Sequence, residues 1–321
     1  LMPCFISINN TRAKSMKLVA TGHERVIRAR LADAQFFYRG DLEVSNDERV
    51  EKLKGVLFQA KLGTMHAKME RVQKVADYIA DQVMDKDRGD AKKADLNTRV
   101  QRAAALCKSD LVSQVVGEFP KLQGVMGRVY AGVAGEPEDV AKAIEEHYRP
   151  TYSGGKLPAT QTGAFLAIAD KIDSICGCFS VGLIPTGASD PYALRRQGIG
   201  IVNIMQDKRF GFSLRSLINE SLERFKSKGD FDLEETAQKV HTFIQNRLAH
   251  ILVEKGFSKD VVAAVISAGT ENMPHVWLRV KALEDLKGAA DFETLAAAFK
   301  RVVNIIKKTD GGIEARVDEA L

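Results

Sequence analysis

The side chains in this sequence that could do chemistry are mostly cations spaced along helical stretches, and the chemistry they suit is holding phosphate. Phosphate recognition needs cations or helix N-termini gathered on one surface. Lys68 and Arg71 are three residues apart and Lys61 is seven from Lys68, so one helix face can carry all three, with Lys74 close by. Lys108 follows Cys107 in a second apolar-periodic stretch, Arg128 sits in a glycine-rich segment, and Arg195 and Arg196 follow a helix start. Lys68, Arg71, Lys108, Arg128, Arg195 and Arg196 are therefore the candidate RNA-binding residues. Each could equally be part of a solvated face or a structural ion pair. Asp170 and Asp173 are a different kind of signal. They stand three apart on an otherwise apolar helix, where an unpaired buried carboxylate is expensive, so partners are required.

Other chemistries are excluded by their missing motifs. There is no GxxxxGK[ST] loop, no GxSxG elbow, no HExxH and no CxxC. The glycines near Gly124 and Gly127 do not follow a strand, so they make no dinucleotide fingerprint. The six histidines are dispersed, and His241 and His250 are nine apart on one helix, which rules out a shared ligand. Four cysteines make no disulfide framework. Cys176 and Cys178 lie in an apolar run and read as small hydrophobes, which makes a reducing cytoplasm the default compartment. Apolar stretches are broken by charges before the ~20 residues that a membrane span needs. The net charge is +5, and residues 1–30 alone hold six cations against Glu24, a basic arm that suits a polyanionic partner.

The elements that must position these residues are nearly all helical. Residues 3–9, PCFISIN, alternate and read as one short strand. From about Gly22 the periodicity becomes helical. One stripe runs through Leu53, Leu57, Met65, Met69, Val72, Ala76, Ile79 and Val83. A second runs through Leu96, Val100, Ala104, Cys107, Leu111 and Val115, with a charged loop over 85–95 between them. Residues 117–140 hold five glycines and two prolines, which predicts short helices and ordered turns. A short helix over Glu138–His147 and a loop over 151–160 lead to a long apolar helix around Phe165–Phe179. Asp190-Pro191 reads as a helix start. The last third is a series of amphipathic helices punctuated by Gly256, Gly269, Gly288 and Gly311-Gly312. At 321 residues the length suggests about two domains. An opening without Met and a close on VDEAL suggest a piece of a longer polypeptide.

The order of helices over 50–180 resembles the HD-type phosphohydrolase fold, in which a His, a His-Asp pair and a distal Asp converge on a metal. In that register His66 takes the first position, Cys107 and Lys108 stand where the His-Asp pair would be, and Asp170 is the distal Asp. Metal-dependent phosphoester hydrolysis needs an ion to activate water. No His-Asp dipeptide occurs in the chain, so the resemblance implies a degenerate site without metal. Asp170 could instead bond backbone or an arginine at a helix junction.

Five stretches, GHERVIRARLADAQFFYRGDL, FQAKLGTMHAKMERV, LCKSDLVSQVVGEFPKLQGVMGRVYA, AIADKIDSI and GLIPTGASDPYALRRQGIGIVNI, together resemble the β subunit of the bacterial heterotetrameric glycyl-tRNA synthetases. EFPKLQGVMG and PTGASDPYALRR are the most specific. His66 and Cys176-Gly177-Cys178 depart from the family pattern. The resemblance implies an α2β2 ligase that joins glycine to tRNA with ATP and Mg2+. Its α subunit holds the aminoacylation site, its β subunit binds tRNA(Gly), no cofactor or metal is held by this chain, and no residue of it is catalytic. It also implies an all-α architecture in three parts: 1–44, the end of an upstream domain (strand plus basic helix); 45–185, a degenerate HD-like domain; and 186–321, a helical linker or body, with the anticodon-binding domain lying outside the chain. The alternative is an active HD-type phosphohydrolase acting on a nucleotide or an RNA end.

Overall fold

A computed structural model of the chain describes residues 4–83 and 90–308. Among them are fourteen α-helices and one small hairpin, so the architecture is multi-helical and all-α. The helices are α1 (Met16–Leu42), α2 (Asn46–Lys52), α3 (Met65–Val83), α4 (Asp90–Leu106), α5 (Gln114–Glu118), α6 (Val125–Val133) and α7 (Glu138–Glu146), then α8 (Gln161–Ser180), α9 (Leu194–Asp207), α10 (Leu214–Glu223), α11 (Leu233–Glu254), α12 (Lys259–Ser267), α13 (Met273–Lys287) and α14 (Phe292–Lys308). The Gly311-Gly312 stop lies outside the described residues.

Three expectations need correction. Residues 4–9 form no strand. They run without regular structure beside α1, tied by Ser7 Oγ to His23 Nε2 at 3.1 Å, and no described strand lies alongside to complete a ladder. The helical stripe drawn through Leu57 is broken by an antiparallel hairpin, β1 (Leu57–Gln59) with β2 (Gly63–Thr64). Gln59 closes its turn by accepting from the backbone N–H groups of Lys61 and Leu62, at 2.6 and 3.0 Å, and Gly63 takes φ +95°. Finally, α1 starts at Met16, where Ser15 caps it by accepting from Leu18 N, and α4 starts at Asp90 inside the charged stretch, each earlier than the apolar period shows.

The long apolar helix is the hub. Every residue of α8 except Gln161 and Asp170 is buried, as expected of a helix that is apolar all round and enclosed by others. It packs against α3, α4, α7, α9, α10 and α11. One buried core extends from Leu53 to Val280, so it passes without a break across residues 185 and 186, where the sequence suggests a domain boundary. A second, small cluster of Val115, Val116, Met126 and Tyr130 receives Phe37 and Tyr38 from α1. Asp41 locks that junction. Its carboxylate accepts from Gln114 N at 2.8 Å, Val115 N at 3.0 Å and Tyr130 Oη at 2.6 Å, and so caps α5 from another helix. The N-terminal part of α1 is exposed, with Arg12, Lys14, Lys17, Arg25 and Arg28 in solvent.

Candidate functional site

At the middle of α8 two carboxylates meet the cations of α3 and of the α4 C-terminus. Arg71 holds Asp173 with both arms of its fork, Nε to Oδ1 at 2.7 Å and Nη2 to Oδ2 at 3.2 Å. Lys68 donates to Asp173 Oδ2 at 3.0 Å, Ser174 Oγ at 2.8 Å and the Asp170 carbonyl at 3.1 Å, and its ammonium stands 3.2 Å from Asp170 Oδ1. Lys108 donates to Asp170 Oδ2 at 3.2 Å and lies over the Tyr148 ring, 4.2 Å from its centroid. The α-helical spacing explains this convergence. Positions 68 and 71 fall on the buried face of α3, and 170 and 173 face it from α8.

His147, at the C-terminal end of α7, completes the cluster. Its ring is fully buried, with Nδ1 2.6 Å from the Ile144 carbonyl and Nε2 2.9 Å from Lys108 Nζ. The carbonyl can only accept, so Nδ1 carries the proton and Nε2 accepts from the ammonium. Burial, then the charge of Lys108, holds this imidazole well below its ordinary pKa, hence neutral. For Asp170, burial pushes the carboxyl up, but Lys108 and Lys68 outweigh it and hold it below the usual carboxylate range. Lys171, buried beside them, donates to the His147 carbonyl at 2.9 Å. Burial brings its pKa down to about 7, against the pull of Asp170.

The residues present do not fit a divalent metal. The ammonium of Lys108 lies between His147 and Asp170, and a cation already in place repels a second one. Among the described residues no three His, Cys, Asp or Glu side chains gather as a ligand set. His66 stays away from the centre and faces Glu70 at 3.7 Å. Cys107 is buried, its thiol pushed up to about 12 by desolvation, so it offers no thiolate.

The sequence brought the right residues together but for a different task. Lys68, Arg71 and Lys108 are 2%, 7% and 3% exposed and saturated by internal partners, so the basic surface expected from them is not formed. Lys61 is on the hairpin turn rather than on α3. Arg128 is half-exposed on α6, away from the cluster, and pairs with Glu145 at 2.6 Å. Arg195 and Arg196 open α9. Asp190 does cap that helix, accepting from Leu194 N at 2.7 Å and Arg195 N at 3.0 Å, but helix begins at Leu194 and not at Pro191, after Ala193 in a left-handed conformation. His147 and Lys171 carried no signal, because a lone histidine near a helix end and one lysine in an apolar helix have many commoner explanations. Asp110 was also missed. Its Oδ2 accepts from Gly124 N at 2.6 Å and Gly127 N at 3.0 Å and so fixes the glycine-rich turn before α6.

Fold and site together define an all-helical protein whose polar centre is closed by lysines. The family model described as glycyl-tRNA synthetase beta subunit matches residues 1–267, and the chain belongs to that family. It is 53% identical over 318 residues to the glycine–tRNA ligase beta subunit of Desulforapulum autotrophicum, covering 99% of this chain and 45% of that protein. To the beta subunits of Desulfatibacillum aliphaticivorans and Geobacter sulfurreducens it is 51% and 48% identical, over 96% and 100% of this chain and 44% and 45% of theirs. The chain thus spans somewhat less than half the length of these curated relatives. The alternative expectation, a metal-dependent HD phosphohydrolase, is not supported: the relatives are ligase subunits, and an ammonium stands between the candidate ligands. Among the described residues no helix is long and apolar enough to cross a membrane.

Proposed function

We propose that this chain is part of the tRNA-binding and structural body of the β subunit of a heterotetrameric glycine–tRNA ligase, acting in the cytoplasm with an α subunit that performs the ATP- and Mg2+-dependent glycylation of tRNA(Gly). The observation that carries this reading is the match to beta subunits along the whole chain. The three-part division at 44/45 and 185/186 belongs to the same reading, the last two parts sharing a core. We read α3, α4, α7 and α8 as an HD-like arrangement in which lysines have taken over the charge balance of a metal. Its role is then to hold the helices rigidly in place, with recognition left to outer surfaces. No nucleotide-binding motif occurs in the sequence, so the adenylation step is assigned to the α subunit.

Reconstitution tests this. The full-length protein and the α subunit, purified separately, are assayed for transfer of labelled glycine to tRNA(Gly), alone and mixed. Glycylation by the mixture, with none from the β-type protein alone, is the expected result. Full glycylation by the α subunit alone, or glycine-dependent pyrophosphate exchange by this chain alone, would overturn the reading.

A further inference from the structure

Most arginines on the packed body hold a carboxylate, as Arg99, Arg102, Arg149 and Arg215 do. Among the described residues from α2 to α13, Arg49, Arg195, Arg196, Arg209, Arg247 and Arg279 pair with none, and of these Arg49 and Arg279 donate instead to the backbone carbonyls of Asp41 and Gly269. Arg209 is beyond the far end of α9, but Arg195 and Arg247 meet where α9 packs on α11. Gly198, one turn along α9 from Arg195, makes the approach possible: a Cβ there would stand 3.3 Å from Arg247 Cγ and 3.3 Å from the Phe243 ring. The stem of Arg247 therefore lies across bare α9 backbone, with its guanidinium 5.5 Å from the centroid of Phe243, one turn back on its own helix.

The guanidinium end of Arg247 is within the field of Arg195. Partial burial, then the charge of Arg195, lowers its pKa, and Asp190 offsets this only in part. Asp190 is already committed to the N-terminus of α9. Arg247 Nε is buried and makes no hydrogen bond. The two guanidinium groups thus share one neighbouring carboxylate, Asp190, whose oxygens already accept from the α9 backbone, and Arg196 follows Arg195 at an exposed position of α9. Such convergence costs free energy in the unliganded protein, and an anion that accepts from both forks relieves it.

We propose that Arg195 and Arg247, flanked by Arg196, form a binding site for the sugar-phosphate backbone of RNA, a proposal that rests on the tRNA-binding reading above. Planar guanidinium forks match phosphate oxygens in pairs, and backbone contacts of this kind fix position without reading bases. This site takes the place of the buried trio Lys68, Arg71 and Lys108, whose charges are spent inside.

The test uses the full-length protein and fluorescent tRNA(Gly), with affinity measured by anisotropy from about 50 to 200 mM salt. The variants are Arg195→Gln, Arg247→Gln and the double change. Arg215→Gln, which removes an arginine paired with Glu234, is the control. Each lost phosphate contact lowers the slope of log affinity against log salt by ~0.7–0.9, so the double change should flatten it by ~1.4–1.8. Over that fourfold salt range the wild type should then lose about tenfold more affinity than the double variant. The control should keep the wild-type slope, and the Arg195 and Arg247 variants should melt within a few degrees of the wild type, since neither removes a carboxylate partner. If the wild type binds tRNA and the double variant keeps its slope, the site assignment is overturned while the tRNA-binding reading stands. If the wild type shows no tRNA binding, that reading fails and the site falls with it. If the variants instead lose a protein subunit with the slope unchanged, the arginines serve an acidic protein surface and the proposal is overturned.

Discussion

Replacing Lys108 by Met probes the centre of the molecule most directly. The ammonium stands 3.2 Å from Asp170 Oδ2, worth about 5 kcal/mol of attraction at an effective dielectric of ~20 before desolvation is counted. Lys68 remains at 3.2 Å from the other oxygen, so Asp170 keeps one partner, while His147 Nε2 loses its donor in a fully buried position. Breaking a buried pair from one side costs about 3–5 kcal/mol, and the retained Lys68 contact argues for the lower end, about 3 kcal/mol. At ~2–4 °C per kcal/mol for a chain somewhat shorter than this one, the melting temperature should fall by about 6–12 °C. Urea unfolding gives the free energy directly. The double change Lys108→Met with Asp170→Leu removes both charges and should recover most of the loss, because an apolar replacement of a buried pair is often neutral or better. The pH profile adds an independent readout. A carboxyl held below its ordinary range stabilises the fold above pH ~4 and loses that contribution as the pH falls, so Lys108→Met should make the acid limb shallower. A single variant within ~1 kcal/mol of wild type, or a double variant as unstable as the sum of the singles, would refute a lysine-held centre.

Lys171 should give a pH dependence of the same sign in a higher pH window. Its pKa falls from 10.5 unfolded to about 7 folded, so the unfolded chain binds the extra proton between those values. Stability should then rise with pH by up to ~1.4 kcal/mol per unit above pH 7, and Lys171→Met should abolish that slope in unfolding titrations. Asp41→Ala leaves two N-terminal amides of α5 and the Tyr130 hydroxyl without their acceptor and should cost about 2 kcal/mol or more by urea denaturation, while Asp41→Asn, which keeps one carbonyl oxygen, should cost less. Gly127→Ala would set a Cβ 2.7 Å from Ile144 Cγ2 and 3.2 Å from the Asp110 carboxylate and should lower the melting temperature by several degrees, about 1–3 kcal/mol of overpacking. A thiol reagent should label one cysteine in the native chain, Cys4, and the buried Cys107, Cys176 and Cys178 only after unfolding, as followed by mass spectrometry.

The amino-acid sequence by itself determined the helical class, most helix limits in the second half, and the stretches that mark the family. These are local properties. Caps, terminal glycines and a 3.6-residue apolar period act within a few residues of where they are written, and so α11, α12 and α13 end close to Gly256, Gly269 and Gly288. The hairpin at Leu57–Thr64 escaped because its apolar positions also satisfy a helical period, and only the Gln59 side chain and the φ of Gly63 turn the chain there. The direction in which charges point was decided by tertiary structure. Lys68, Arg71 and Lys108 have the same residue types and spacing as a phosphate-binding face, and nothing in a one-dimensional pattern distinguishes a cation that meets RNA from one that meets an aspartate 62 to 105 residues away. That choice follows from α8 being enclosed on all sides, which forces Asp170 and Asp173 to find cations inside the protein. The same enclosure brings in His147 from α7 and uses up the lysines. It leaves Arg195 and Arg247, from helices about fifty residues apart in sequence, as the cations that converge without a carboxylate of their own.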